Sequence, residues 1–533
     1  MLILEEINEH YMKQFFTIVL LSFLGSFTWA QDLYLIHLAP KQNTSTYLAN
    51  PLQMLSQRAL TRRANKSVAL DDKDVPINSS HIQAIKNLNL NYVGASKWLN
   101  TLMVEIEDQN VITQLNNLSF VSSIENLAHN NDPRNAARTQ KNQINTIDYG
   151  QSFEFINQIG LQHIHQAGFK GQNILIGVID SGFPGVNTMQ AFQRIRNENR
   201  IVDTHNFVNN NSIYEMHSHG TYVLSTMAAD VPSIYGGTAP EAAYALYVSE
   251  DAWQESPKEL MYWVQAAERA DSTGVDVINT SLGYTTFDDP RYDFTYEEMD
   301  GNTAIISKGA KIAASRGIFL VNANGNDGSS DWHYLGAPAD VPEVFSIGAT
   351  FLDGSPAPFT SFGPNATGNI KPDVSALGVY VRAFNPEGEL IYSNGTSLAS
   401  PIMSGAVATL MSAAPNTSIE ELKVLIKESA HLYPSYNDQV GYGIPNFATI
   451  LARLKTNELT KQKISIHPNP ATAYFKVTGV DPVKKLEIVD LNGRILKVIN
   501  NKNEMNIEQL TKGIYVVRIS TEKEISYQKL MIQ

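Results

Sequence analysis

The 533-residue sequence predicts an α/β protein: a parallel sheet flanked by helices, preceded by a small α+β domain and followed by a C-terminal β-sandwich. Three observations predict this. Between residues 150 and 456, continuous apolar segments alternate with helical patterns, the mark of strands buried on both faces. Residues 31–149 mix short strands and helices and end in a polar, turn-rich stretch. From residue 457 onward, strand patterns dominate, separated by proline and Asn-Gly turns.

Residues 1–30 read as a signal peptide. Met12-Lys13 precedes an apolar run at 15–24, and 25–30 supplies small residues for cleavage between Ala30 and Gln31. Met12 is the expected true start, because Glu5, Glu6 and Glu9 make a poor basic region. The run is shorter than the roughly 20 residues a membrane span needs, so no stable membrane span is expected. In residues 31–149 the patterns predict strands at 32–38, 102–106 and 120–125, and helices at 51–63, 81–88 and 111–118. Residues 130–144 read as a linker. In 150–456 the strands are 174–179, 275–279, 318–323 and 344–349. The helices are 219–228, 257–272, 303–316 and 397–413. In 457–533 six strands are expected, with a hairpin turn at Asn492-Gly493.

Composition narrows the chemistry. Hydrophobic residues at 43% and charged residues at 17% fit folded domains. A net charge of −13 without a Lys/Arg cluster argues against nucleic acid as a partner. The absence of cysteine excludes disulfides, thiolate catalysis and cysteine-ligated zinc. No His-Glu-x-x-His pattern is present, so zinc catalysis is not expected either.

Three stretches of the central region carry candidate chemistry. Asp180 ends an apolar strand, where open α/β sheets bind ligands; alone, it reads as an Asx-turn or cap, the usual job of Asp after a strand. His219 opens a helix, where the dipole favours the neutral imidazole of a general base; His217 is its local rival. Ser397 also opens a helix, whose N–H groups suit an oxyanion; alone, it is an ordinary N-cap. Together they supply a hydroxyl, a base to activate it and an acid to orient the base, in the chain order Asp, His, Ser.

The segments IGVIDSGF, HSHGTYVLSTMA and NGTSLASPIMSGAVA resemble the aspartate, histidine and serine motifs of the subtilisin-like (subtilase, S8) serine peptidases. NANGNDG is similar to that family's oxyanion stretch, and VINTSLGY to the segment lining its substrate cleft. The resemblance implies a subtilisin-like sheet and hydrolysis of peptide bonds in protein or peptide substrates. It implies that Asp180 orients, His219 is the base, Ser397 attacks and Asn326 binds the oxyanion, with Asn324 a local competitor. Ser281, Leu282 and Gly283 would line the cleft. Ser281–Gly283 and 323–325 suggest a pocket without a charged floor, hence broad or apolar preference for the residue before the scissile bond. No metal or cofactor is required. Relatives often carry structural calcium, which here would fall in the Asp/Asn-rich loops 288–300 or 324–331.

Residues 32–130 occupy the place of a subtilase propeptide, which implies a zymogen inhibited by its own N-terminal domain and cleaved within 130–149; a packing domain is the alternative. The last 70 or so residues resemble the type IX secretion sorting domain of Bacteroidota, through Ile466-His467-Pro468-Asn469-Pro470, Asp490-Leu491-Asn492-Gly493-Arg494, Leu510-Thr511-Lys512-Gly513-Ile514-Tyr515 and Lys529-Leu530-Met531-Ile532. That implies a secreted or cell-surface protein and the type IX machinery as a partner. An adhesive β-module is the alternative there, and a catalytically dead fold serving as a binding protein is the alternative for the centre.

Overall fold

A computed structural model describes residues 32–88, 90–128, 149–460, 464–479, 482–490, 493–522 and 525–533. The signal-peptide and most of the linker expectations lie outside these residues, as does Asn492 of the hairpin turn. The chain divides into two compact units, Met1–Ala448 and Thr449–Gln533.

The first unit begins with a four-stranded antiparallel sheet. Its strands are β1 (Asp32–Leu38), β2 (Asn91–Ser96), β3 (Thr101–Ile106) and β4 (Val121–Asn126), in the order β2-β3-β1-β4. Helices α1 (Gln57–Asn65), α2 (Ser79–Lys86) and α3 (Asn110–Asn116) accompany it. Strand side chains alternate between faces, and β1 is apolar on both. Tyr34, Ile36 and Leu38 pack with Ile85, Val111 and Leu115 of α2 and α3. Leu33 and Leu35 join a second cluster that extends into the following domain. Strand β2 was not expected, because Gly94 and a bulge between Tyr92 and Gly94 break its alternation.

Residues 149–448 build a seven-stranded parallel sheet. Its strands are β5 (Leu175–Asp180), β6 (Ile201–Asn206), β7 (Ala243–Val248), β8 (Val277–Thr280), β9 (Phe319–Ala323), β10 (Phe345–Thr350) and β11 (Val374–Leu377), in the order β11-β10-β9-β8-β5-β7-β6. The chain leaves β5 toward β7 and β6, then returns to build outward from β8. The topology therefore switches between β5 and β8, which places a crevice at their carboxyl ends. Helices α4 (His219–Ala228), α5 (Lys258–Thr273), α6 (Ile305–Ser315) and α7 (Thr396–Ala413) cover the sheet. Strands β6, β7 and β11 are additions to the expected four. β6 is an edge strand with mixed polarity, and β11 has only four residues. α7 is buried from Thr396 to Met411 and packs on β8, β9, β10 and β11.

The second unit contains two antiparallel sheets. One is built from β12 (Ser465–His467), β13 (Tyr474–Thr478) and β16 (Glu504–Asn506), in the order β12-β13-β16. The other is built from β14 (Lys485–Val489), β15 (Ile495–Asn500), β17 (Gly513–Ser520) and β18 (Ile525–Ile532), in the order β15-β14-β17-β18. Ile466, Phe475 and Met505 of the first sheet share a core with Leu486, Ile488, Val517 and Leu530 of the second, which makes this a sandwich. Asn469, between two prolines, ties the terminal strand down. Its Nδ2 donates to Lys529 O at 2.6 Å, and its Oδ1 accepts from Met531 N at 2.8 Å.

Candidate active site

Asp180 ends β5 and His219 begins α4, and the two meet: Nδ1 of His219 lies 2.8 Å from Oδ1 of Asp180. The carboxylate is buried, whereas the imidazole keeps 31% of its side chain exposed. Oδ1 also accepts from Ser181 N at 2.8 Å. A carboxylate in this position fixes Nδ1 as the protonated nitrogen, so Nε2 carries the lone pair that can accept a proton. His217 is placed differently. Its Nδ1 lies 3.3 Å from both the His219 backbone N and Ser181 Oγ, so it braces the turn and makes no hydrogen bond to Asp180.

Ser397 is the second residue of α7, which packs against α4. Pro401 is the helix's sixth residue, in its second turn rather than the first. Without an N–H it cannot bond to the carbonyl four residues back, that of Ser397. Ser281 Oγ donates to that oxygen instead, at 2.9 Å. Asn279 extends the brace: its Nδ2 donates to Ser281 Oγ, and its Oδ1 accepts from Ser400 and Ser404 hydroxyls at 2.9 and 2.8 Å. The Ser281 side chain thus faces the helix rather than open groove. Leu282 is half-buried in the core, and Gly283 is exposed.

Asn326 reaches the same helix start. Its Oδ1 accepts from Thr396 N at 2.9 Å and from Thr396 Oγ1 at 3.0 Å. Those two donors settle which end of the amide is oxygen, so Nδ2 is directed away from them. Gly395 (φ 148°) stands between. A Cβ there would lie 2.7 Å from Ser397 Oγ, 3.5 Å from Ser397 N and 3.7 Å from Asn326 Nδ2. Only glycine leaves that space open. Asn324 is elsewhere engaged: it is fully buried, and its Nδ2 donates to Ser361 O at 2.7 Å.

The sequence motifs carried no sign of the acidic group beside this site. Glu250, just after β7, accepts a hydrogen bond from Tyr284 Oη. Burial, then Glu255, pushes its carboxyl up to about 8. Glu259 is buried in the first turn of α5, and burial, then Glu250, pushes it up to about 10. The pairing needed the fold, since Glu250 and Tyr284 lie 34 residues apart.

Residues 171–443 match the subtilase family of S8 peptidases. The chain belongs to the subtilase family. Residues 33–146 match the Bacteroidota S8 propeptide domain, and residues 465–533 match the secretion system C-terminal sorting domain. Subtilisin NAT of Bacillus subtilis subsp. natto is 31% identical over 303 residues, covering 56% of this chain and 71% of that one. A subtilisin of Bacillus pumilus is 31% identical over 304 residues, covering 56% of this chain and 97% of that one. Among solved structures, the epidermin leader peptide processing serine protease EpiP of Staphylococcus aureus shares the fold, with a TM-score of 0.53 at 17% identity. That likeness covers 82% of this chain and all of the other. This protein is therefore a subtilase-family serine peptidase with a propeptide domain and a type IX sorting domain, and the latter implies export.

In this subtilase the propeptide domain sits on α5 and the start of β8. Arg62 and Arg63 of α1 both pair with Asp271, and Arg63 also with Asp74. All four side chains are buried. Glu268 accepts from Ser96 Oγ, Trp98 N and Lys97 N. Lys258 pairs with Glu105, and Arg316 with Asp71. Past β4, Leu127 and Ala128 pack on the same core cluster that Leu33 and Leu35 join.

In the loop 288–300, four carboxylates take part in local hydrogen bonds. Asp289 is held by Arg291, Asp293 by Phe287 N, Glu298 by Thr295 N, and Asp300 by Asn302 N and Thr303 N. Among the described residues, no three His, Asp or Glu side chains gather as a metal site. No helix among them is long and apolar enough to cross a membrane.

Proposed function

We propose that this subtilase is an exported serine endopeptidase, made as a zymogen, in which Ser397 attacks the peptide carbonyl. His219 takes the Ser397 proton through Nε2 and returns it to the leaving amine, and water then clears the acyl-enzyme. Asp180 holds the Nδ1 proton and stabilises the imidazolium. Asn326 Nδ2 and the Ser397 N–H hold the tetrahedral oxyanion. The observation that carries this reading is the 2.8 Å Asp180–His219 contact, on a helix that packs against the one opening with Ser397. Gly395 leaves space between the hydroxyl and the Asn326 amide.

Gly283 is exposed beside the Ser281 brace, and the Ser281–Gly283 segment itself carries no charged side chain. Both support a broad or apolar preference at the attacked residue. The propeptide domain acts as inhibitor until the chain is cut within 130–149. The sorting domain addresses the protein to the type IX machinery for release or surface display.

A serine-reactive fluorophosphonate tests the chemistry. Labelling of the wild type and none of Ser397→Ala is the expected result; equal labelling of both would defeat the reading, and no labelling of either would favour a binding protein on a dead fold. N-terminal sequencing of the exported enzyme should find a start within 130–149, and a start at Gln31 would count against the zymogen.

A further inference from the structure

The loop after β7 is built as a rigid arm. Ser249 N donates to Asp180 O at 3.1 Å, so the loop springs from beside the candidate acid. The buried Glu259 carboxyl accepts from Asp251 N at 2.6 Å and from Ser256 N at 2.9 Å, closing both ends on one side chain. Asp251 Oδ1 accepts from Trp253 N at 3.2 Å, and Glu255 and Asp288 are joined through two further hydrogen bonds. The arm carries Trp253, which is 86% exposed. A single exposed ring is ordinary by itself; its meaning here comes from the loop that fastens it and from what stands beside it.

Trp253 is not isolated. Its ring stands at 89° to His217, with centroids 6.3 Å apart, an edge-to-face arrangement. His217 in turn is tied to the His219 backbone and to Ser181. Gly182 makes this approach feasible, since a Cβ there would lie 2.5 Å from His217 O. Burial, then the neighbouring His219, holds the His217 pKa below the usual imidazole range, which keeps the ring uncharged at neutral pH. The result is a right-angled aromatic corner one residue removed from His219 and open to solvent.

We infer that Trp253 and His217 form the wall of a specificity subsite that takes an apolar, preferably aromatic, substrate side chain close to the scissile bond. The inference rests on the serine-peptidase reading above. An aromatic or large aliphatic side chain entering the corner loses water against two rings that are already held in place, so little ordering cost opposes the contact. Glycine or a small polar residue gains nothing there.

The test is a peptide-library cleavage profile of the mature enzyme, matured from the full chain, for the wild type, Trp253→Ala and Trp253→Phe. Rates are taken per active site counted with the fluorophosphonate. The wild type should prefer aromatic over glycine at one position flanking the bond. Trp253→Ala should lower that ratio about two- to tenfold, the range for one aromatic pair, and Trp253→Phe should keep most of it. An unchanged ratio in Trp253→Ala would overturn the inference, and so would wild-type selection for Lys or Arg at that position, which would point to Glu250 and Glu255 instead. Absence of labelling in the wild type would sink the serine-peptidase reading and this subsite with it.

Discussion

Ser281 donates a 2.9 Å hydrogen bond to the carbonyl oxygen of Ser397, the oxygen that Pro401 leaves without its helical partner. Residue 281, just past β8, thereby fixes the backbone of the candidate nucleophile on α7. Ser281→Ala strands a buried carbonyl, at a cost of about 1–3 kcal/mol, visible as a lower Tm. Pro401→Ala supplies an N–H to the same oxygen. The double variant should therefore lose less than the sum of the single variants, as a double-mutant cycle would report.

Asp180→Asn should lower kcat by about 10⁴ with the fold intact. The amide can donate to Nδ1 and so favours the wrong tautomer of His219. Steady-state kinetics together with unchanged circular dichroism would check this. A loss under tenfold would remove Asp180 from the mechanism.

Asn326→Ala should lower kcat by about 10²–10³ with little change in KM, the loss known for removing such a donor in subtilisin itself. Asn324→Ala should instead act on stability, because its amide holds Ser361 O inside the core. Comparing kcat with Tm for the two variants separates the neighbouring asparagines.

Asp373 predicts an acid limit. It pairs with Lys371 at 2.9 Å and with Lys427 at 2.6 Å, deep in the core. Burial would raise its pKa, but the two ammonium groups outweigh that and bring it down to about 2. A depressed carboxyl pKa contributes stability above its unfolded value, near 4. That contribution is lost as pH falls from about 4 through 2. Asp373→Asn in the Ser397→Ala background should destabilise by roughly 3–5 kcal/mol at pH 7, leaving Lys371 buried without its counter-charge. The difference from the parent should shrink toward pH 2, as urea unfolding at several pH values would show.

Asp271 predicts how tightly the propeptide is held. It lies between Arg62 and Arg63 with no exposure of its own. Asp271→Asn leaves two buried guanidinium groups short of charge, which costs several kcal/mol in the docked state and little once the domains part. Activity after the linker cut should appear with a shorter lag than in the wild type. An unchanged lag would mean that the interface is held by its apolar contacts alone.

Much of this site was legible before any coordinates. Strand β5 is apolar throughout because both faces are covered, and that run ends at Asp180. His-Gly-Thr and Gly-Thr-Ser each place a reactive side chain at the first turn of a helix. What stayed illegible depends on distant pairs. Ser281 read as part of the substrate cleft, yet its hydroxyl turns to the helix. The reason is a missing N–H 120 residues away, at Pro401. Glu250, Tyr284 and Trp253 carry no motif, since their meaning comes from burial and from the neighbours the sheet gives them.

The sequence by itself determined the family, the order of the three domains and which side chains are chemically competent. Local periodicity, helix-start chemistry and short motifs are properties of neighbouring residues. Only the tertiary structure decided which histidine meets Asp180, which asparagine accepts from Thr396 beside Ser397, and where the propeptide's arginines are buried. Each of those is a contact between segments far apart in the chain. Parallel strands order such segments by topology rather than by sequence, and hydrogen-bond geometry then discriminates between candidates that the sequence leaves equal.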